Sequence, residues 1–445
     1  MQTRYFAALL CALGAWSGAG AVTDDERVQA YREFRAEFDA RHYPQALPIA
    51  ERLVALTEEQ YGADARALVN PLSNLATTQL RLGNHQAAET AYLRSVQIAE
   101  ATAGGADRQL VRPLHGLGAT YYAVGQYEDA SAMFRRAVDL SRNVDGLFNI
   151  EQLEMLEPLI ASYIALAQLS DAEKEHQYAF RVAESTYGRT DPRMLGPLDR
   201  YARWYEFVGR YTTSRVLHAR ALSIAEHGGR GTSVSVPALR GIARTYRLEF
   251  LNGAEEPAEP GSDPFDSKGW LPPDHSDSVR LNPDGERALR LALTAIDKVE
   301  PIDRAQRGET LVELGDWYLS GGATARALDT YREAWKDLAL GGSTKVLEAP
   351  RLLAYRPPVA STTRSRLDPA TADSSSMEVR FTVTREGRTT NVVTVSSDAP
   401  ESTTNSMLNA VRKARYAPRL ESGEPADTHG VTMTERLLTV KPQRR

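Results

Sequence analysis

The sequence predicts a mainly α protein: a solenoid of about seven helical hairpins, followed by a small α+β module of order β-β-α-β. Three observations predict it. Apolar, small and turn-forming residues recur at a 42-residue step across residues 24–340. The residues at each step have the chemistry that ends a helix and reverses the chain. After residue 376 the apolar period shortens to two, which is strand patterning.

The chain opens with Arg4, an apolar run from Tyr5 to Trp16, and the small residues Ala19-Gly20-Ala21 ahead of Asp24-Asp25-Glu26. A positive start, a short apolar middle and an A-x-A end describe an export signal over residues 1–21. The run is shorter than the roughly 20 residues a spanning helix needs, so cleavage after Ala21 is expected. An uncleaved inner-membrane anchor is the alternative. Cys11 is the only cysteine, and Leu9-Leu10 stand where a lipidation site needs a small residue. The mature chain would therefore hold no cysteine, which excludes disulfides, thiolate metal sites and cysteine nucleophiles. No later stretch reaches membrane-spanning length.

The chain has 445 residues with 53 Lys and Arg against 58 Asp and Glu, a net charge of −5. That balance argues against nucleic acid as a partner, because such footprints carry a basic excess. From Met377 onward there are 11 basic and 8 acidic residues, a net of +3 that leaves −8 for the rest.

Stepping by 42 gives positions 41, 83, 125, 167 and 209. Five residues later stand Ala46, Ala88, Ala130, Ala172 and Ser214, where a small side chain lets two helices cross closely. Leu72, Leu114, Leu156 and Leu198, with Leu75, Leu117, Leu159 and Tyr201, give each first helix an apolar stripe. A lone hairpin cannot bury both of its stripes, so the units must stack. These residues resemble tetratricopeptide repeats. Leu314-Gly315, Tyr318, Ala327, Tyr331 and Ala334 stand at the signature positions of the 34-residue repeat, and Leu117-Gly118, Tyr121, Ala130, Phe134 and Ala137 repeat the set. The longer period is similar to that of kinesin light chains. Pro71, Pro113 and Pro197 predict that a helix starts or kinks there. Leu166-Ala167-Gln168 replaces the glycine turn of the fourth unit.

The sixth unit is split, with helices expected over about 236–250 and 284–299. Between them, residues 252–283 form an inserted loop rich in Pro, Gly, Asp and Ser, in which Phe265, Trp270 and Leu271 favour docking. Residues 341–376 lose periodicity and read as a linker. Residues 377–441 then give a strand over 378–383, a turn at Arg385-Glu386-Gly387-Arg388, a second strand over 391–396, a helix over 402–415 and a last strand over 428–440. Val379–Val383, Glu386-Gly387-Arg388, Asn391-Val392, Ala410-Val411-Arg412 and Arg415-Tyr416-Ala417-Pro418 resemble the C-terminal domain of TonB-family proteins. The resemblance implies a domain that binds an extended peptide by adding it to a sheet edge. Residues 1–22 contain no histidine of the kind an energy transducer carries, and no long Pro-Lys or Pro-Glu spacer stands in the sequence, so docking without a motor is expected.

The resemblance also implies that the first helices line a groove. Asn70, Ser73, Arg112, His115, Glu157, Asp199 and Arg203 are the candidate groove residues. Glu157 and Asp199 occupy the rows where some tetratricopeptide co-chaperones carry a basic clamp. His176 and His218 occupy the column of Tyr92 and Phe134 and read as packing residues. No catalytic motif, cofactor loop or metal-ligand spacing stands out. The expectation is a non-enzymatic periplasmic scaffold of a Gram-negative bacterium that binds protein or peptide partners. The alternatives are a membrane-anchored TonB-like energy transducer and an envelope protein associated with peptidoglycan, the latter testable by sedimentation with cell-wall sacculi.

Overall fold

The computed structural model describes residues 24–103, 105–227, 232–252, 281–355 and 373–439. Residues 1–21, expected as an export signal, most of the 252–283 insertion with Phe265, Trp270 and Leu271, and Arg356-Pro357-Pro358 lie outside the described residues. The chain divides into two compact units, one ending at Thr186 and one beginning at Tyr187.

The first unit is four hairpins: α1 (Asp24–Asp39) with α2 (Tyr43–Tyr61), α3 (Val69–Arg81) with α4 (His85–Ala103), α5 (Val111–Ala123) with α6 (Tyr127–Asp145), and α7 (Gln152–Ala165) with α8 (Leu169–Tyr187). The second holds α9 (Leu195–Phe207) with α10 (Tyr211–His227), α11 (Val236–Asn252) with α12 (Pro283–Asp297), and α13 (Arg304–Ser320) with α14 (Thr324–Leu340). Within the first unit α3 touches α5 and α5 touches α7, and within the second α9 touches α11 and α11 touches α13, so these first helices share one face of their unit.

The 42-residue step has a backbone cause. Arg41, Gly83, Gly125, Ala167 and Gly209 all adopt left-handed backbone, at φ of 62°, 80°, 80°, 56° and 82°. The next residue then donates back to the helix, as Gln126 N–H does to Tyr121 O at 2.9 Å and Gln168 N–H to Tyr163 O at 2.8 Å. This closes the helix end and satisfies an orphan carbonyl. Ala167 does so without glycine, and its Cβ costs about 1–2 kcal/mol in that conformation. Ala167→Gly is therefore expected to stabilise the chain by about 0.5–1 kcal/mol after the unfolded-state entropy of glycine is deducted, read by urea unfolding. Pro71, Pro113 and Pro197 sit at the third position of α3, α5 and α9. The N–H a proline lacks there has no intrahelical acceptor, so each helix starts and does not break.

Side-chain columns meet as paired contacts. A Cβ on Gly118 would come within 2.8 Å of the Phe134 ring, and one on Gly315 within 2.4 Å of the Tyr331 ring. Both rings are fully buried. Glycine at the first position is what admits an aromatic residue at the second.

The C-terminal module contains β1 (Arg351–Ala354), β2 (Asp373–Val383), β3 (Thr389–Ser397), α15 (Glu401–Lys413), β4 (Arg415–Ala417), β5 (Arg419–Glu421), β6 (Glu424–Ala426) and β7 (Thr428–Thr439). One antiparallel sheet has the order β3-β2-β7, while β1 pairs with β4 and β5 with β6. The expected β-β-α-β order holds for β2, β3, α15 and β7, with three short strands added between helix and last strand. Met377, Val379, Phe381 and Val383 alternate inward from β2 against Met407, Val411, Ala414 and Tyr416.

Three parts of the stretch read as a linker are structured. Asp373–Ser376 is the start of β2, pairing with Arg436–Thr439 of β7. A polar run gives no hydrophobic strand pattern, so backbone pairing alone places it. Residues 345–347 form a short turn that buries Leu347, and Arg351–Ala354 is a strand. Ala417 and Leu420 share a core with Tyr331, Ala334 and Leu338 of the last hairpin. The module is packed onto α13 and α14 and does not hang from a tether.

Candidate binding surfaces

On the first unit, Asn70 and Arg112 line one shallow depression of about 320 Å³ with Arg108, Gln109, Asp145 and Glu151. Arg112 donates to Asn74 Oδ1 at 2.6 Å, and Arg108 pairs with Asp145 at 2.8 Å. His115 lies on the same helix, half-buried, its ring 5.3 Å from that of Phe134. Its Nε2 is buried without a hydrogen-bond partner among the described residues. Burial lowers its pKa, opposed weakly by the charge of Glu154. Ser73 corrects the groove assignment: it is fully buried, bonded to Val69 O at 2.8 Å and to Ser95 Oγ at 3.1 Å. A small hydroxyl that is satisfied locally packs at a helix crossing as alanine would. Glu157 is exposed on α7. On the second unit, Asp199 and Arg203 pair with each other along α9 at 2.8 Å.

The second unit also carries ion pairs between helices that sequence reasoning missed. Glu206 of α9 accepts from Arg244 of α11 at 2.7 Å and from buried His218 of α10 at 3.0 Å. His218 packs as its column implies, under Gly241, where a Cβ would come within 2.4 Å of the imidazole. Burial alone would raise Glu206, but the His218 and Arg244 bonds outweigh it and hold the carboxyl down at about 2. A depressed carboxyl stabilises the fold above its unfolded value of 4.5, and that contribution is lost as pH falls toward 2. Glu206→Gln is expected to cost about 2–3 kcal/mol near pH 7. In denaturant titrations its deficit against the parent should shrink between pH 4.5 and 2.

The junction of hairpin and module turns on Asp316, which is 2% exposed. It accepts from the Tyr331 hydroxyl at 2.8 Å and from both terminal nitrogens of Arg351 at 3.0 and 2.7 Å. Burial pushes Tyr331 well above the usual phenol range, and the Asp316 charge adds to it. Nearby, Arg332 of α14 reaches Glu424 at 2.8 Å, and Gly423 sits against Trp335. A cavity of about 520 Å³ opens beside this network, between α11, α13 and the segment leading to β1.

The sheet offers two edges of different quality. β3 loses register twice against β2, and its Asn391 takes φ +53°. Such irregularity blunts an edge toward further pairing. β7 shifts register once against β2, between Phe381 and Val383, where Gly430 takes φ +70°; from Val431 to Glu435 it pairs one-to-one with Phe381 to Met377, leaving a regular outer row of backbone groups over those residues. Among the described residues β7 pairs on one side only. No proline interrupts it.

Stacked helical hairpins followed by a small α+β module with an open sheet define a helical-repeat protein with a C-terminal sheet module. Residues 35–101 and 70–143 match the tetratricopeptide repeat family, and residues 372–434 match the family of Gram-negative bacterial TonB protein C-terminal domains. Solved structures similar to the chain include a Podosopora anserina kinesin light chain with nearly identical TPR-like repeats, at 18% identity, covering 46% of this chain and 98% of that one, with a TM-score of 0.42. BtubC from P. vanneervenii matches at 16% identity over 72% of this chain and 92% of its own, with a TM-score of 0.36. The apo form of RapI matches at 13% identity over 72% and 78%, with a TM-score of 0.48. No curated protein matches the chain. Tetratricopeptide repeats imply protein partners, and the TonB domain family is one of the Gram-negative envelope. Among the described residues no helix is long and apolar enough to cross a membrane.

Proposed function

We propose that the chain is an exported periplasmic scaffold that binds protein or peptide partners, without catalysis, through the first-helix face of its repeats and by strand addition at β7. The observation that carries this is the regular outer row of β7 from Val431 to Glu435, where a partner's backbone would find evenly placed donors and acceptors. The repeats supply side-chain specificity through surfaces such as that of Asn70 and Arg112.

The test is in-cell photo-crosslinking with a photoreactive residue at Thr432 of β7 or Val393 of β3. A partner of defined mass captured from Thr432 and not from Val393 is the expected result. Capture from Val393 alone, or from neither, would overturn strand addition at β7. N-terminal sequencing of the mature protein separates a scaffold from a transducer. A chain beginning at Val22 in the periplasmic fraction is expected, and a membrane-bound chain retaining residues 1–21 would favour the anchored transducer.

A further inference from the structure

The cavity beside the Asp316 network is built from both parts of the second unit. Repeat helices supply Arg240, Glu309, Val312 and Leu338, and the segment leading into the module supplies Lys345 and Arg351. Val312 and Leu338 are buried at 3% and 4% exposure and give an aliphatic floor. Two cations are fixed in place by α13: Arg240 by Glu309 at 3.0 Å and Glu313 at 2.9 Å, and Arg351 by Asp316. A guanidinium has five N–H donors, so each keeps some in reserve. Lys345 is exposed and has no carboxylate partner among the described residues. Lys345 is therefore the lining cation without a carboxylate of its own, set above an apolar floor and across from Glu309 and Glu313, which share Arg240. Glu309 remains half-exposed and is able to accept a hydrogen bond from an amide N–H.

We propose that this junction cavity binds an aliphatic carboxylate, with the apolar group on Val312 and Leu338 and the carboxylate at Lys345 and Arg351. Two sources share that chemistry: the last residue of a polypeptide and a free short-chain acid. The site deepens the scaffold reading and rests on it. It lies apart from the Glu157 and Asp199 rows, and it exists only where the module is joined to the repeats.

The experiment is calorimetry on the full mature chain with three probes: acetyl-Ala-Ala-Leu-Leu with a free carboxylate, the same peptide amidated at its C-terminus, and hexanoate. The free acid is expected to bind at least tenfold more tightly than the amide. Lys345→Ala should weaken the acid at least tenfold and leave the amide and the melting temperature unchanged, since Lys345 is exposed. Hexanoate binding as tightly as the peptide acid assigns the site to free acids, and much weaker binding assigns it to chain termini. Equal binding of acid and amide, no binding of any probe, or an unaffected Lys345→Ala variant would overturn the proposal. Crosslinking at Thr432 reports on the scaffold reading separately, because Lys345 plays no part in strand addition.

Discussion

Asp316→Ala is expected to destabilise the second unit by about 3–5 kcal/mol, the cost of removing one partner from a buried pair. The substitution orphans the Arg351 guanidinium and the Tyr331 hydroxyl together, and Tyr331 is fully buried. Because Arg351 begins β1, losing its partner also frees the segment between α14 and the module. Denaturant unfolding reads the stability, and limited proteolysis should show new cleavage near Lys345. Adding Arg351→Ala should recover part of the loss, since a charge that is absent no longer lacks a partner. A double variant no better than the single would mean that the network is not coupled.

Phe134→Ala is expected to cost about 3–5 kcal/mol in the first unit, through lost burial and the cavity left behind. Phe134 is fully buried, with Gly118 beneath its ring. The same geometry predicts a second effect. Gly118→Ala gains helix propensity of about 1 kcal/mol yet places a methyl group against the ring, and overpacking costs about 1–3 kcal/mol. A net loss is expected that the smaller side chain of Phe134→Leu partly relieves in the double variant. Additive losses would show that glycine and aromatic are not a packed pair.

That pair shows why the repeats were legible in the sequence. A 42-residue column is a set of equivalent contacts, so Gly118 with Phe134 and Gly315 with Tyr331 report the same geometry at different units. The left-handed position survives even as Ala167, because the turn is enforced by the helices on either side. His218 was readable as packing for the same reason.

The junction was harder to read. β1 spans only Arg351–Ala354, too short to show alternation, and its pairing partner β4 is more than 60 residues away in sequence. One sign was present: Asp316 stands between Gly315 and Trp317 in an otherwise apolar stretch, where a charge needs a buried partner. Which partner is a long-range fact that periodicity does not carry. The same holds for Glu206 with Arg244, and for Arg240 with Glu309 and Glu313. Ser73 misled because a serine in a helical row gives no hint whether its hydroxyl faces solvent or its own helix.

These particulars give the molecule its working logic. The outer edge of β7 belongs to a module that is packed onto the last hairpin, so the module is not a free end on a tether. Native-state hydrogen exchange in low urea tests this most directly. The account predicts that amides of α13, α14, β1 and β4 exchange through one shared opening, with the same free energy and the same urea dependence. Exchange of β1 and β4 through a separate, cheaper opening while α13 and α14 stay protected would contradict it.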